Sequence, residues 1–504
     1  MIRRRSALWL LALCFLLRFP SLIRPCLSDD EAIYAVVGRE MLTQHALYRD
    51  VVDHKPPAIY LVNAATQAIA GPIGGMIALH LLLIAVVWAT GLVLGAIASC
   101  WNVDGPAEVR GHAAWIERRA PTMAALLWTV FSTTLIDTDS LAANCELFMM
   151  LPLAASMYAV LRKRWFVAGG LVGVAIAFKY QAAIQLPLYG AAILIGYRKQ
   201  PGAMLRAATA LAIGAASPLL ALTGWLYARG AADAAWFWFR FNFAYISTGS
   251  RSAMLQQIAL RAGFVVVAAA PLYASAAVAV RRSPPLAVAW LAASVCAVVV
   301  GGRFFGHYFH QVTAPLAVIA APIALEWSQG RGRWFAAALA IPAVGFFALA
   351  LAHDRVMRAA GEPDPDYPSV VAWLKHHATP DDSICIWGNS PVLYFQANRP
   401  LGCRFVFANY LTGLSPATPS QTDATVDSSP NAVLAAWDMI DDDFTKRRPT
   451  FIIDGSPGNV AFYGKYPPER FPRLARVLAC HYSVAADIIG MRIYRRLASS
   501  RCTI

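Results

Sequence analysis

The sequence predicts a polytopic α-helical membrane protein that ends in a small soluble α/β domain. Of its 504 residues, 58% are hydrophobic and only 14% are charged, whereas a soluble protein carries about a quarter charged residues. The hydrophobic residues form long runs separated by short basic clusters, as expected for membrane-crossing helices joined by short loops. After residue 353 the long apolar runs stop, and short strand-like and helical stretches alternate.

About eleven apolar segments are predicted membrane spans, judged against the roughly 20 residues that a spanning helix needs. The first lies near Ala7–Ile23, behind three arginines, and no small-residue cleavage site follows it. We therefore predict a retained helix rather than a cleaved signal peptide. The other predicted spans lie near Gly75–Cys100, Pro121–Ile136, Leu147–Leu161, Phe166–Phe178, Ala182–Tyr197, Arg206–Ala228, Ile258–Val280, Leu286–Val300, Val312–Trp327 and Trp334–His353.

Basic residues set the predicted orientation of these spans. If the N-terminus is cytoplasmic, the basic clusters in alternate connections all fall on the cytoplasmic side, as the positive-inside rule requires. The clusters contain Arg110, Arg118 and Arg119; Arg162, Lys163 and Arg164; Arg198 and Lys199; Arg281 and Arg282; and Arg331 and Arg333. The formal charge of +14 belongs largely to these loops, so it does not indicate nucleic-acid binding. We predict a bacterial inner-membrane protein with residues 1–353 in the membrane and residues 354–504 in the periplasm.

The predicted periplasmic domain follows a polar, proline-containing linker at 354–369. Its predicted helices lie near Val370–His377, Pro391–Ala397, Ala432–Asp441 and Arg470–Leu478, and its predicted strands near Ile384–Trp387, Arg404–Ala408, Phe451–Asp454 and a pair around His481–Arg495. Four cysteines, Cys385, Cys403, Cys480 and Cys502, could pair in an oxidising compartment. Their spacing does not choose partners, and free buried thiols are an equal alternative.

Ionisable residues are concentrated in the loops on the predicted outer face. The first outer loop (24–74) contains the run Asp29-Asp30-Glu31 and, further on, Asp53-His54-Lys55-Pro56-Pro57. The acidic run could simply cap a helix and favour its dipole. However, three more groups fall on the same predicted side: Asp137, Asp139, Asn144 and Glu146; Lys179; and Arg303, His307, Tyr308, His310 and Gln311. Charges beside a bilayer are costly, so this concentration indicates one active site.

These residue types suit glycosyl transfer from a polyprenyl-phosphate sugar. The departing phosphate needs cations, which Lys55, Lys179 and Arg303 could supply. The attacking hydroxyl needs a base, and an ionised aspartate within hydrogen-bond reach can serve. A divalent metal ion held by Asp, Glu and His side chains would also fit this set.

The ordered motifs resemble those of the GT-C glycosyltransferases. They are Asp-Glu-Ala-x-Tyr-Ala from Asp30, Lys-Pro-Pro from Lys55, Asn-x-Glu-x-Phe around Glu146, and Arg-x-Phe-x-His-Tyr-Phe-x-Gln from Arg303. Within that family, residues 1–330 are similar to protein O-mannosyltransferases and lipid A aminoarabinose transferases. The resemblance implies a GT-C fold, a polyprenyl-phosphate-sugar donor, inverting transfer at the outer face and a catalytic acidic residue in the first outer loop.

The resemblance also implies roles for individual residues. By motif position, Asp30 is the implied base, with Glu31 directly after it, and Lys55 is the implied ligand of the donor phosphate. Some relatives carry an acidic residue just before that lysine, where this chain has His54. Histidine is also a competent metal ligand, and Asp30 and His54 are therefore the predicted ligands if a metal ion binds. The remaining predicted substrate-binding residues are Arg303, Lys179, Glu146, His307, Tyr308 and His310.

Two other classes of function fit parts of the pattern. A transporter or flippase for lipid-linked sugars could line its path with the same charges, but we find no convincing internal repeat and no charges in mid-span. A membrane-anchored scaffold would leave the acidic first loop without a purpose. We therefore predict a glycosyltransferase whose partners are a lipid-linked donor, a lipid, glycan or protein acceptor, and the membrane lipids.

Overall fold

A computed structural model describes residues 2–24, 26, 28–101, 110–134, 140–247, 258–330, 332–359, 367–415, 421, 423 and 425–502. It contains a bundle of apolar helices followed by a domain built on a four-stranded sheet. The predicted Asp137 and Asp139 lie outside the described residues.

Apolar helices make up most of the first 359 residues. Their bounds are α1 (Arg4–Arg18), α2 (Pro20–Ile23), α3 (Asp29–Leu42), α4 (Ala58–Cys100), α5 (Arg110–Phe131), α6 (Cys145–Leu161), α7 (Trp165–Phe178), α8 (Gln185–Tyr197), α9 (Pro201–Ala228), α10 (Ala232–Ser247), α11 (Gly263–Ala268), α12 (Ala270–Ala279), α13 (Pro285–Val300), α14 (His310–Gly330) and α15 (Gly332–Ala359). Each apolar segment predicted from the sequence overlaps one of these helices or a consecutive pair, α1–α2 or α11–α12, although the predicted end at Ile136 lies outside the described residues. Hydropathy therefore locates the most apolar helices, because a helix that is apolar on most faces belongs in lipid or in a large core, whereas α3 and α10 lie in segments predicted as outer loops.

Length and composition identify the helices that can cross a membrane. Among the described residues, four helical stretches qualify: Ala58–Cys100, Pro201–Ala228, Gly306–Gly330 and Gly332–His353. The pair Ile258–Ala268 and Ala270–Arg282, bent by 87°, would be a fifth if it forms one span. The chain is a membrane protein, and the total of about eleven spans stays a prediction.

Helix α4 consists of a first part, residues 58–70, that contains Asn63, Thr66 and Gln67, and a long apolar second part. Gly71 separates them, with φ of 71°, and Pro72 follows it. Glycine adopts this left-handed conformation without the steric cost of a Cβ atom, and the proline lacks the N–H that a continuous helix would use. The predicted span at Gly75–Cys100 therefore corresponds to the second part of α4, after the kink.

The C-terminal domain has a mixed sheet in the order β1-β2-β4-β3, with β1 parallel to β2 and the other two pairings antiparallel. The strands are β1 (Ile384–Trp387), β2 (Phe451–Asp454), β3 (Tyr482–Ile488) and β4 (Met491–Arg496), and the helices are α16 (Tyr367–His377), α17 (Pro391–Ala397), α18 (Asn409–Thr412), α19 (Leu434–Lys446) and α20 (Pro472–His481). The cysteines that the sequence left unassigned form two disulfides, Cys385–Cys403 and Cys480–Cys502.

One predicted strand of this domain is wrong. Arg404–Ala408 does not join the sheet. Instead, Phe405 forms an isolated parallel bridge with Val52, and the Val52 N–H donates to the Arg404 carbonyl oxygen at 2.8 Å. The segment is apolar because it is buried against the loop between α3 and α4, whereas the sequence pattern suggested burial within the domain's own sheet.

The sheet buries one carboxyl group whose titration is testable. Asp454, at the end of β2, is 1% exposed. Burial raises the pKa of Asp454 to about 6, although the Ser456 N–H, which donates to its Oδ1 at 2.8 Å, opposes that shift. Because the native state then holds this proton more tightly than the unfolded chain does, the stability from this group falls as pH rises from about 4 to about 6.

We predict that Asp454→Asn raises the free energy of unfolding of the C-terminal domain by about 2 kcal/mol at pH 7.5 and by much less at pH 4. Asparagine keeps the oxygen that accepts from Ser456 but carries no buried charge. Thermal unfolding of the full-length protein at both pH values measures the difference. Asp438→Asn, on the exposed face of α19, is the control. An equal effect of Asp454→Asn at both pH values would contradict the pKa assignment.

Candidate functional site

The first turn of α3 holds the acidic run in a fixed geometry. The Ser28 side chain accepts a hydrogen bond from the Glu31 N–H at 3.3 Å and caps the helix. Asp29, Asp30 and Glu31 therefore occupy the first turn, where negative charge also favours the helix dipole. Successive residues on a helix point in different directions, so the three carboxylates have different surroundings.

Asp30 faces Lys55, which lies just before α4. The Lys55 Nζ is 2.8 Å from Asp30 Oδ2 and donates to the Tyr34 hydroxyl at 2.7 Å. The Tyr34 hydroxyl in turn donates to Asp30 Oδ2 at 3.2 Å. Burial opposes the charge on Lys55, but Asp30 and Asp53 outweigh it and hold the pKa of Lys55 above its ordinary value. Lys55 is therefore a cation throughout the neutral range, held in place by a carboxylate and a phenol.

Asp53 anchors the other side of the same loop. Its Oδ1 accepts from the His54 N–H at 2.7 Å and its Oδ2 from the Tyr60 hydroxyl at 2.6 Å. Tyr410 of the C-terminal domain lies 2.9 Å from His54 Nδ1 and donates to Asp53 Oδ1 at 3.3 Å. Burial would raise the pKa of Asp53, but the hydrogen bond and charge of His54, together with Lys55, hold it below the ordinary value.

A second acidic–basic pair lies where α6, α7 and the 306–309 turn meet. Glu146, in the first turn of α6, pairs with Lys179 at the end of α7. His307 Nε2 is 3.6 Å from the same carboxylate, and the Lys179 ammonium lies 3.8 Å from the centre of the Tyr308 ring. Three segments distant in sequence thus form one cluster, as predicted for a single site.

The two clusters border one cavity of about 300 Å³ between the helical bundle and the C-terminal domain. The bundle lines it with Asp30, Lys55, Lys179, His307 and Tyr308 among other residues. The C-terminal domain contributes a wall that carries no charged side chain among the described residues: Asn389, Phe407, Asn409, Tyr410, Gly413, Leu414, Ser415, Gln421 and Asn431.

Four other predicted residues do not line this cavity: Glu31, Glu146, Arg303 and His310. Glu31 is fully buried, 3.0 Å from His80 Nε2, and accepts from the Ala143 N–H at 2.6 Å. His310 is fully buried beside Trp128. Arg303 is also buried, and its guanidinium donates to the hydroxyl of Ser415, which does line the cavity, at 2.9 Å. Glu31 and His310 thus pack inside the bundle, while Arg303 contacts the cavity wall through Ser415.

Asp30 and His54, the predicted metal ligands, each contact other side chains in this structure. Asp30 is paired with Lys55, and His54 Nδ1 lies 3.1 Å from Asp53 Oδ1 and 2.9 Å from the Tyr410 hydroxyl. The part of the chain that the structure describes contains no group of three His, Cys, Asp or Glu side chains placed to hold an ion.

Sequence reasoning did not identify the residues of the C-terminal domain that contribute to this site. Tyr410 contacts His54, yet 356 positions separate the two residues in the chain. Asn389 Nδ2 likewise lies 3.5 Å from Asp29 Oδ2. Nothing in the local pattern around Tyr410 or Asn389 marks either residue as functional. The run from Arg404 to Ala408 was the one available signal, and it suggested an internal strand.

A buried carboxylate, Asp443, fixes this domain against the loop. Asp443 is 1% exposed and pairs with Arg404 at 2.9 Å and with Arg447 at 3.0 Å. Arg447 donates to the Asp50 carbonyl oxygen at 2.6 Å, and Arg404 to that of Arg49 at 3.4 Å. The two arginines thus connect α19 to the backbone immediately before Asp53 and Lys55.

No protein-family model and no curated protein sequence matches this chain. Solved structures do match it. The structure of ArnT from Cupriavidus metallidurans bound to undecaprenyl phosphate is similar with a TM-score of 0.58 at 16% identity, covering 98% of both chains. The structure of the same protein in the apo state is similar with a TM-score of 0.57 at 16% identity, covering 97% of this chain and 98% of that chain. The Archaeoglobus fulgidus oligosaccharyltransferase in complex with Zn and sulfate gives 0.51 at 14% identity, over 97% of this chain and 73% of that one.

These similarities extend over almost the whole chain, including the C-terminal domain. At identities of 14–16% they establish the fold. The chain has the GT-C fold that its motifs predicted.

We predict that Asp443→Asn increases amide hydrogen exchange in residues 46–55 at least about tenfold, because a neutral amide cannot compensate two half-buried guanidinium groups. Exchange in α6, remote from α19, should not change. Hydrogen–deuterium exchange with mass spectrometry measures both regions. Asp441→Asn, which removes an exposed partner of Arg473, is the matched control. Unchanged exchange at 46–55 in Asp443→Asn would show that the loop does not depend on this contact.

Proposed function

We propose that this GT-C protein is a glycosyltransferase that moves a sugar from a polyprenyl-phosphate donor to an acceptor hydroxyl. The observation that carries the proposal is the convergence of Asp30, Lys55 and Lys179 on one cavity. One carboxylate and two ammonium groups are what a transfer with a phosphate leaving group needs. The similarity to a protein crystallised with undecaprenyl phosphate supports a donor of this class.

In the proposed reaction, Asp30 accepts the proton of the acceptor hydroxyl as its oxygen attacks the anomeric carbon. The bond from that carbon to the phosphate oxygen breaks, and the electron pair leaves with the polyprenyl phosphate. Attack from the face opposite the phosphate inverts the anomeric configuration. Lys55 and Lys179 stabilise the charge that develops on the departing oxygen, as preorganised cations do.

In this proposal, Lys55 contacts both the base, Asp30, and the donor phosphate. An ammonium group has three donors, of which one faces Asp30 and one Tyr34. We infer that the third donates to the donor phosphate. A phosphate bound there would share the charge of Lys55 with Asp30, which makes the carboxylate more available as a base. Lys179, held by Glu146, would contact the phosphate from the opposite wall.

The uncharged wall of the C-terminal domain suits hydroxyl-bearing groups. Asn389 and Ser415 offer hydrogen-bonding groups, and Phe407 and Tyr410 offer rings against which a sugar can pack. We propose that the transferred sugar or the lipid, glycan or protein acceptor binds against this wall.

We further propose that the cavity opens on the periplasmic side of a bacterial inner membrane. Two disulfides in the C-terminal domain support an oxidising compartment. The basic clusters at the other ends of the helices support a cytoplasmic N-terminus.

Asp30→Asn is predicted to lower kcat for sugar transfer at least about 100-fold, the usual contribution of a general base, with little change in donor binding. Release of radiolabelled sugar from a polyprenyl-phosphate donor, with purified protein in proteoliposomes, measures the rate. Movement of the donor across the bilayer without transfer would favour a flippase instead. If Asp30→Asn transfers sugar at a near-normal rate and Asp29→Asn loses sugar transfer, Asp29 rather than Asp30 is the base.

Lys55→Gln and Lys179→Gln are predicted to weaken binding of the product, polyprenyl phosphate, at least about tenfold each, since each removes one cation from the phosphate. Product inhibition constants in the same assay report the change. Lys163→Gln removes the same charge from a loop outside the cavity and serves as the matched control. Equal inhibition constants in all three variants would show that the phosphate does not bind at this site.

A further inference from the structure

A second cavity, of about 920 Å³, lies at the opposite end of the helical bundle. Helix α4 begins just after Lys55, and its penultimate residue, Ser99, lines this second cavity. Helix α14 likewise begins beside the first cavity at His310 and reaches the second at Val318–Glu326. With 21 residues, α14 is about 30 Å long, close to the thickness of the hydrocarbon core of a bilayer. Val318 and Glu326 lie about 12 and 24 Å along α14 from His310, so the second cavity extends toward the end of the bundle that faces away from the first.

Arginines from three parts of the chain converge on the second cavity. Arg3 precedes α1, Arg118 and Arg119 lie on α5, and Arg282 ends the turn after α12. The cavity also contains two carboxylates, Glu117 and Glu326, so four positive charges face two negative ones. Within the described part of the chain, no salt bridge joins these four arginines to a carboxylate. The lining thus has an excess of uncompensated positive charge.

The walls below these charges are apolar. Met123, Leu126, Ile319 and Ile323 line the cavity from α5 and α14. Trp101 and Trp115 lie nearer its charged part, and the Arg119 guanidinium is 5.0 Å from the centre of the Trp115 ring. Tryptophan at this position is typical of the level of lipid head groups. The cavity is therefore amphipathic, with guanidinium and indole groups at one end and aliphatic side chains at the other.

We propose that this second cavity binds an anionic phospholipid from the adjoining leaflet, with its phosphate among the arginines and the start of its acyl chains against α5 and α14. Basic pockets between transmembrane helices bind such head groups, and arginine matches the geometry of a phosphate. A free inorganic anion would leave the aliphatic wall exposed to water. A lipid without net charge would leave the positive excess uncompensated.

The positive-inside rule alone would also place arginines at this end of the bundle. A charge-matched control separates the two explanations. The loop between α6 and α7 contributes Arg162, Lys163 and Arg164, none of which lines the second cavity. Replacing these three by alanine removes the same formal charge as replacing Arg118, Arg119 and Arg282.

The test uses the full-length protein in detergent after incubation with mixed micelles of phosphatidylglycerol and phosphatidylcholine, with native mass spectrometry to count bound lipid. Wild type and the 162–164 triple variant should retain phosphatidylglycerol in preference to phosphatidylcholine. The Arg118→Ala/Arg119→Ala/Arg282→Ala variant should retain at least tenfold less phosphatidylglycerol. If that variant does not fold, the single exposed change Arg282→Gln should still lower retention several-fold.

Three results would overturn the proposal. They are equal phosphatidylglycerol retention by the cavity variants and the control, equal retention of phosphatidylcholine by wild type, and displacement of the lipid by millimolar inorganic phosphate. The experiment measures lipid binding rather than sugar transfer, so its result is independent of whether the proposed function is correct.

Discussion

A short parallel pairing between Val52 and Phe405 is the contact on which the candidate site depends. It joins the loop before α4 to the C-terminal domain, and Asp443 reinforces it by holding two arginines against the loop backbone. Lys55 comes three residues after Val52, and α3 ends at Leu42, ten residues before Val52. The lysine and its carboxylate partner are therefore placed by a bundle and a domain together, and neither part alone contains the complete cavity.

Each lysine of the site has a carboxylate partner before any donor binds. Asp30 compensates Lys55, and Glu146 compensates Lys179. An uncompensated buried ammonium would cost several kcal/mol, so the pairs let two cations lie close together beside a membrane. In the proposed function, a donor phosphate would compete with the carboxylates for cations that are already ordered, and preorganisation of this kind reduces the cost of stabilising charge in a transition state.

Hydropathy and motif spacing predicted most of the apolar helices and six of the lining residues, including Asp30, Lys55 and Lys179, because membrane insertion imposes strong local patterns. The same reasoning treated Glu31 as a partner of Asp30, although adjacent residues on α3 face different surroundings and Glu31 turns inward to His80. Tyr410 and Asn389 could not be predicted, since their roles arise only when a distant domain docks. The strand expected at Arg404–Ala408 failed for the same reason: its pairing partner is Val52, in another part of the chain.

The central claim is that the donor phosphate binds between Lys55 and Lys179, beside Asp30. A structure of the full-length protein in lipid nanodiscs with a polyprenyl phosphate tests this most directly. We expect the phosphate within hydrogen-bond distance of both lysine ammonium groups, with Asp30 still close to Lys55 and an open space along the wall formed by Asn389 and Ser415. A phosphate bound outside this cavity, with the Lys55–Asp30 and Lys179–Glu146 pairs undisturbed, would contradict the account.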